Sequence, residues 1–189
     1  MTFTILAVCT GNICRSPQVE NLLRDRAASR RSVDGHEDEL RVLSAGTYAM
    51  VGDPMDPTAA KMLNEGGSDG ADHRAQQLTA RLVEDAQLVL CLSREHRKAV
   101  VTLVPSANRY AFTLLEFARV VRGLRETVVP LPAPLDFAEW TALASAHRGY
   151  FPGVPAEDDV VDPYRRDESV YRGSFDQIRS AVDSILSLT

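Results

Sequence analysis

Apolar positions along the chain change their period in a regular way. Phe3-Thr-Ile-Leu-Ala-Val-Cys9 is an almost unbroken apolar run, the pattern of a strand buried on both faces of a parallel sheet. Val19, Leu22, Leu23 and Ala27 then recur at helical spacing, so residues 17–30 predict a helix. Arg41–Ser44 predicts a short second strand, residues 87–92 a fully apolar third, and Tyr110–Phe112 a fourth. Between them Asp56 caps a helix with Pro57 at its first position, carrying Ala60, Met62 and Leu63 and stopping at Gly66-Gly67. Ser93 caps another, with Val100, Leu103 and Val104, that ends at Pro105. Thr113-Leu-Leu-Glu116 is a capping box opening a helix with Phe117, Val120 and Val121. Tyr171, Phe175, Ile178, Val182 and Ile185 form the stripe of a last helix. Ser29–Glu39 and residues 68–75 are polar and read as connections.

Strands alternating with helices predict an α/β protein with a doubly wound parallel sheet. Ligands of such sheets bind at the carboxyl ends of the strands. The first strand ends in Cys9-Thr-Gly-Asn-Ile-Cys-Arg-Ser-Pro17. Pro17 suits a first helical turn, so this loop sits on a helix N-terminus, where free N–H groups and the positive dipole end bind an oxyanion. Thr10, Gly11, Asn12, Ile13, Cys14, Arg15 and Ser16 are therefore the predicted phosphate-binding residues. Arg15 grips two oxygens through its planar fork. The same positive surroundings are expected to lower the thiol pKa of Cys9 and make it a nucleophile. Gly11 is expected to take an unusual backbone angle and Asn12 a left-handed one. The Ser16 hydroxyl is within reach of the Cys9 sulfur. Cys14 is placed to trap oxidised Cys9 as a disulfide, whereas Cys91, in an apolar strand, reads as core.

Composition narrows the class. The chain has 189 residues with 44% apolar side chains, enough for one domain, 1–189, with a sizeable core. A net charge of −5 argues against nucleic acid or an anionic membrane as a main partner. Apolar runs stay far below the roughly 20 residues of a membrane span, and no leader pattern opens the sequence. Three cysteines form no disulfide framework and fit a reducing cytoplasm. His36, His96 and His147 show no metal spacing. No cofactor is expected.

VCTGNICRSP resembles the signature loop of the low-molecular-weight protein tyrosine phosphatases, and Asp162-Pro-Tyr164 resembles their general-acid motif. SAG at 44–46 and DHRAQQL at 72–78 resemble further family segments. The resemblance implies a flavodoxin-like, four-stranded parallel sheet with helices on both faces. It implies phosphotyrosine hydrolysis through a cysteinyl-phosphate, with Cys9 attacking, Arg15 holding the phosphoryl oxygens and Asp162 protonating the leaving group. Asn12, Ser44 and His73, with Ser16, match the set that supports the loop. Tyr48 or Met50 stands where relatives place a rim aromatic, and Tyr164 packs near the mouth. Asp158 and Asp159 lie close enough to compete for the acid role. Asp162-Pro-Tyr-Arg-Arg resembles the bacterial exopolysaccharide and capsule branch, which implies phosphotyrosyl proteins as partners, a bacterial tyrosine autokinase among them.

Three alternatives differ in chemistry. An arsenate reductase of this fold needs a second relay cysteine, and Arg94–Pro105 has none. The protein arginine phosphatase branch has Thr where Ile13 stands. A non-catalytic phosphate-binding module would not need Cys9, Arg15 and Asp162 together. The sequence leaves the oligomeric state unknown.

The chain departs from the family over about 119–159, an inserted segment. Val129–Pro134 reads as stiff and extended. Asp136 caps a predicted helix with Phe137, Trp140, Leu143 and Ala144 on one face, closed by Gly149. That stripe must be buried, either as a helix packed away from the cleft or as a lid beside it. The nearby Asp162 makes the lid the expectation to test.

Overall fold

The computed structural model describes residues 2–34, 39–127 and 136–187. Four parallel strands, β1 (Thr2–Cys9), β2 (Glu39–Gly46), β3 (Leu88–Cys91) and β4 (Ala111–Thr113), lie in the order β2-β1-β3-β4. The order reverses direction between β1 and β3, and that switch point opens a crevice at the carboxyl ends of both strands. Among the described residues, seven α-helices connect and follow the strands: α1 (Arg15–Asp34), α2 (Pro57–Glu65), α3 (Ala80–Glu84), α4 (Arg94–Leu103), α5 (Leu114–Thr127), α6 (Phe137–His147) and α7 (Glu168–Leu186).

Alternation along each strand explains the two layers. Ile5, Ala7 and Cys9 of β1, with Leu88 and Leu90 of β3, pack against α1, α2, α5 and α7. Leu6 and Val8, with Val89 and Cys91, pack against α3 and α4. The expected doubly wound architecture with helices on both faces is thus present, and the stripe from Tyr171 to Ile185 is buried throughout.

Local signals hold where capping chemistry defines them. Asp56 accepts from the Thr58 and Ala59 amides, and Thr113 and Glu116 exchange both bonds of a capping box. Asp136 and Glu139 do the same for α6. Differences arise where a boundary carries no cap. The first helix continues to Asp34 rather than ending near residue 30, because Arg30 and Arg31 are good helix formers and a charge cluster does not stop a helix. The second strand spans eight residues rather than four. The short α3, capped by Thr79, was not expected. The extended Val129–Pro134 stretch lies outside the described residues.

The inserted helix packs away from the cleft. Phe137 stacks on Phe3, at the amino-terminal end of β1, with ring centroids 5.7 Å apart. Trp140 and Ala144 are buried in the core shared by α5. Arg148, just after α6, donates to the Ala111 carbonyl at 2.6 Å and covers the Phe112 ring. The helix is therefore no lid. Among the described residues of the segment, Ala156 and Asp159 at its end line the cleft, with Val160 and Val161 just beyond it.

Candidate active site

The loop between β1 and α1 is held from outside by its carbonyls. Thr47, Tyr48, Met50 and Asp56 amides donate to the carbonyls of Cys9, Thr10, Gly11 and Ile13 at 2.9–3.0 Å. His73 Nε2 lies 2.6 Å from the Asn12 carbonyl. In a trans peptide the next N–H points opposite to the carbonyl, so five outward carbonyls leave five N–H groups facing a common centre. Gly46 permits this approach: a Cβ there would lie 2.4 Å from the Thr10 carbonyl oxygen. The 20-residue α1 begins at Arg15 and adds its dipole end to the same centre.

Asn12 is the backbone keystone. It takes the left-handed conformation, φ 57°. Its side-chain amide donates to Ser16 Oγ at 3.0 Å and Ser44 Oγ at 2.8 Å, and its oxygen accepts from the Gln76 amide at 2.8 Å. Ser44 in turn donates to Glu20 at 2.6 Å. Gly11 was expected to share the unusual angle; it has no left-handed φ, and a Cβ would meet only Ile13 at an ordinary 3.6 Å. The twist is carried by Asn12 alone, whose side chain can hydrogen-bond to its surroundings.

Cys9 is buried at the bottom of the loop, and its sulfur lies 2.9 Å from Ser16 Oγ. Arg15, with a side chain 6% exposed, donates to the Val160 carbonyl at 3.2 Å and to Asp162 Oδ2 at 2.7 Å. Asp162 has a side chain 54% exposed and its other oxygen accepts from the Tyr164 amide at 3.2 Å. Arg15 thus joins the loop and the acid segment. The rival carboxylates are engaged elsewhere. Asp158 pairs with Arg119, and Asp159 accepts from Arg94 Nη2 at 2.8 Å and its amide at 2.7 Å. Of the three, Asp162 alone meets Arg15.

A cleft of about 370 Å³ at the switch point is lined among others by Thr10, Arg15, His96, Val160 and Asp162. Of the residues expected at the rim, Tyr48 stands 82% exposed, whereas Met50 and Tyr164 pack against the core. The Arg165 guanidinium lies 5.1 Å from the Tyr164 ring centroid. Cys14 is buried and unpaired in a disulfide, and desolvation pushes its thiol well above the usual range. Burial does the same to Cys91, deep in β3. Sequence reasoning missed Glu20, Gln76 and His96. Glu20 sits about one turn of helix beyond the loop and Gln76 meets Asn12 through its backbone amide, so neither carries a local signal. His96 was set aside for lacking metal spacing, although Ser93, three residues earlier, marks it as the first turn of a helix starting at the cleft.

The geometry agrees with what the chain resembles. The profile described as low molecular weight phosphotyrosine protein phosphatase matches residues 4–144. A protein from Ralstonia nicotianae named "Probable low molecular weight protein-tyrosine-phosphatase EpsP" is 29% identical over 184 residues, covering 97% of this chain and 94% of its own. The crystal structure of the Erwinia amylovora tyrosine phosphatase AmsI superposes with a TM-score of 0.70 and 26% identity, over 99% of this chain and 93% of that one. The YwlE arginine phosphatase from Geobacillus stearothermophilus matches with a TM-score of 0.68 and 28% identity, over 98% and 91%.

Proposed function

The chain belongs to the low molecular weight phosphotyrosine protein phosphatase family, and from that footing we propose that it hydrolyses phosphotyrosine on proteins, with Cys9, Arg15 and Asp162 as its catalytic residues. The inward N–H groups and Arg15 hold the equatorial phosphoryl oxygens, whose charge they stabilise in the transition state. Cys9 Sγ attacks phosphorus in line, the P–O bond to the phenol breaks, and Asp162 gives that oxygen its proton. Ser16 donates to the sulfur and stabilises it as a leaving group when the thiophosphate is cleaved. Asp162, then ionised, takes a proton from the attacking water. Asn12, Ser44 and His73 keep the loop in shape, and Tyr48 stands at the rim beside the incoming peptide. The bond between Arg15 and Asp162 is the observation that carries the assignment: it fixes one carboxyl beside the oxyanion site and leaves the other two aspartates paired away from it.

Arsenate reduction is disfavoured because Cys91 is sealed in the core. The arginine phosphatase reading lacks the Thr of that branch, since Ile13 fills the position. We read residues 1–189 as one phosphatase unit, with the helix inserted within about 119–159 supporting its core. The substrates we propose are bacterial phosphotyrosyl proteins, a tyrosine autokinase of exopolysaccharide or capsule export among them, met in the cytoplasm. Among the described residues no helix is long and apolar enough to cross a membrane.

We further propose redox control. Peroxide oxidises the Cys9 thiolate to a sulfenic acid, and the Cys14 thiol condenses with it, forming a disulfide and releasing water. Hydrolysis of an aryl phosphate and of a phosphotyrosyl peptide by wild type, with loss in Cys9→Ser, tests the function. Mass spectrometry for a Cys9–Cys14 link after peroxide, absent in Cys14→Ser, tests the control. Hydrolysis retained by Cys9→Ser would overturn the first, and Cys9 linked to Cys91 the second.

A further inference from the structure

His96 is a buried histidine, 6% exposed, with a polar partner on each ring nitrogen. Nδ1 lies 2.9 Å from Ser93 Oγ. Nε2 lies 2.9 Å from Thr10 Oγ1. Ser93 caps α4, and its oxygen accepts the His96 amide at 3.3 Å. One lone pair of that hydroxyl is thereby used, and its proton is free to go to Nδ1. A neutral imidazole that accepts at Nδ1 carries its proton on Nε2. Nε2–H then donates to Thr10 Oγ1.

Thr10 differs from its partner in exposure. It is an exposed residue that lines the cleft together with Arg15 and Asp162. Having accepted from His96, its hydroxyl has one proton left to donate. This direction requires a neutral imidazole with its proton on Nε2. Burial, and after it the nearby Arg15 cation, pushes the His96 pKa down to about 4. A doubly protonated ring would donate from both nitrogens and lose the Ser93 proton.

Resting on the phosphatase reading of this cleft, we propose that His96 is a positioning residue that turns the Thr10 hydroxyl proton into the cleft, where it donates to a phosphoryl oxygen of the bound phosphate monoester. The loop N–H groups and Arg15 are fixed donors on the floor; Thr10 adds a side-chain donor on the wall facing β3. The bridge also ties the loop after β1 to the helix after β3, across the switch point of the sheet. It is made of three side chains from two distant segments, Thr10 on one and Ser93 and His96 on the other.

The test uses the full chain with an aryl phosphate, and inorganic phosphate as competitive inhibitor. Thr10→Val should lower kcat/KM about tenfold and weaken phosphate inhibition by a similar factor, the scale of one hydrogen bond to a charged group. Thr10→Ser, which keeps the hydroxyl, should recover most of what Thr10→Val loses. His96→Gln, which keeps a side-chain N–H donor, should retain most activity, and His96→Leu should match Thr10→Val. The double variant Thr10→Val/His96→Leu should be no worse than either single change, since both remove the same contact. Nitrogen NMR of His96 should show a neutral ring protonated on Nε2. Thermal unfolding of each variant separates fold from function. The proposal falls if Thr10→Val binds phosphate as wild type does, if the two losses multiply, if the ring is protonated on Nδ1 alone, or if His96→Leu loses stability without losing activity per folded molecule. Wild-type turnover that fails altogether would instead overturn the phosphatase reading, and phosphate binding followed by NMR would still report on Thr10.

Discussion

The two halves of the proposed catalytic centre are held by opposite means. The phosphate loop, residues 9–16, hangs from outward carbonyl bonds and a buried side-chain network around Asn12. The acid segment, residues 156–166, hangs largely from ion pairs: Arg119 with Asp158, Arg94 with Asp159 and Arg15 with Asp162. The difference follows from the work of each half. Oxyanion stabilisation depends on dipoles that need no reorganisation during reaction, so every loop carbonyl from Cys9 to Ile13 is tied down. A proton donor must meet leaving groups of different size and then a water molecule, and Asp162, the donor we propose, is half exposed. Ion pairs at the surface hold it with less energy than buried bonds would.

Breaking the buried half should have the largest effect. Cys9→Ser should abolish turnover of any phosphate ester. Arg15→Ala should lower kcat/KM by about 10³, the upper scale for one preorganised charge-stabilising group. Arg15 belongs to both halves, so its loss should also steepen the dependence on leaving-group basicity, which protonation of the leaving group by Asp162 flattens. Kinetics over a series of aryl phosphates checks this; a slope unchanged in Arg15→Ala would mean the halves are independent.

Asp162→Asn should act on one half only. A phenolate with pKa near 10 leaves poorly without a proton. Turnover of phenyl phosphate should fall about a hundredfold, the lower end for general acid catalysis, while an ester with an acidic leaving group should be nearly untouched. Equal losses on both would make the residue structural and return Asp158 and Asp159 to contention.

How far the sequence reveals each half follows from the same contrast. The loop is legible because its chemistry is contiguous: Cys9, Asn12, Arg15, Ser16 and Pro17 lie within one turn of chain, between a two-faced apolar strand and a helix. The four strands and the capped helices were legible for the same local reason. The acid segment depends on pairings 39 to 147 residues apart, such as Arg119 with Asp158 and Arg15 with Asp162. No periodicity encodes them, and only the resemblance of Asp162-Pro-Tyr164 singled out the carboxylate that meets Arg15. The inserted helix shows the limit most plainly. Its apolar stripe announced burial but not the surface it would bury against, and tethering near Asp162 suggested the cleft. The partner is Phe3, at the opposite end of the sheet. His96 was hidden by a question put too narrowly, since its role is to bridge two hydroxyls rather than bind a metal.

Removing the keystone of the loop should have a smaller effect than removing its chemistry. Asn12→Ala leaves Cys9 and Arg15 in place but deletes three side-chain bonds and asks an alanine to hold a left-handed angle. Together these should destabilise the protein by about 2–4 kcal/mol. Turnover should fall about tenfold as the N–H groups lose their common aim. Asn12→Gly, which tolerates the angle, should recover part of the stability and little of the activity. Full recovery of activity in the glycine variant would show that the angle matters and the network does not.

The smallest effect belongs to the outermost tie. Arg94 grips Asp159 through two side-chain nitrogens and its own amide, three residues before the acid. The side chains are 50% and 31% exposed. A pair this open is worth about 0–1 kcal/mol even with good geometry, and Asp159 would still hold the Arg94 amide after Arg94→Gln. The variant should therefore fold as wild type does and bind inorganic phosphate equally well. What it loses is constraint on the acid, because Val160, which links Asp159 to Asp162, also bonds the Leu92 carbonyl and Arg15. We expect turnover of phenyl phosphate to fall about three- to fivefold, and turnover of an ester with an acidic leaving group to stay unchanged. The selective loss is the informative part: it would separate positioning of the proton donor from binding of the phosphoryl group. An equal loss on both esters would mean that the pair holds the whole cleft wall, and the division between a rigid loop and a loosely held acid would no longer describe this site.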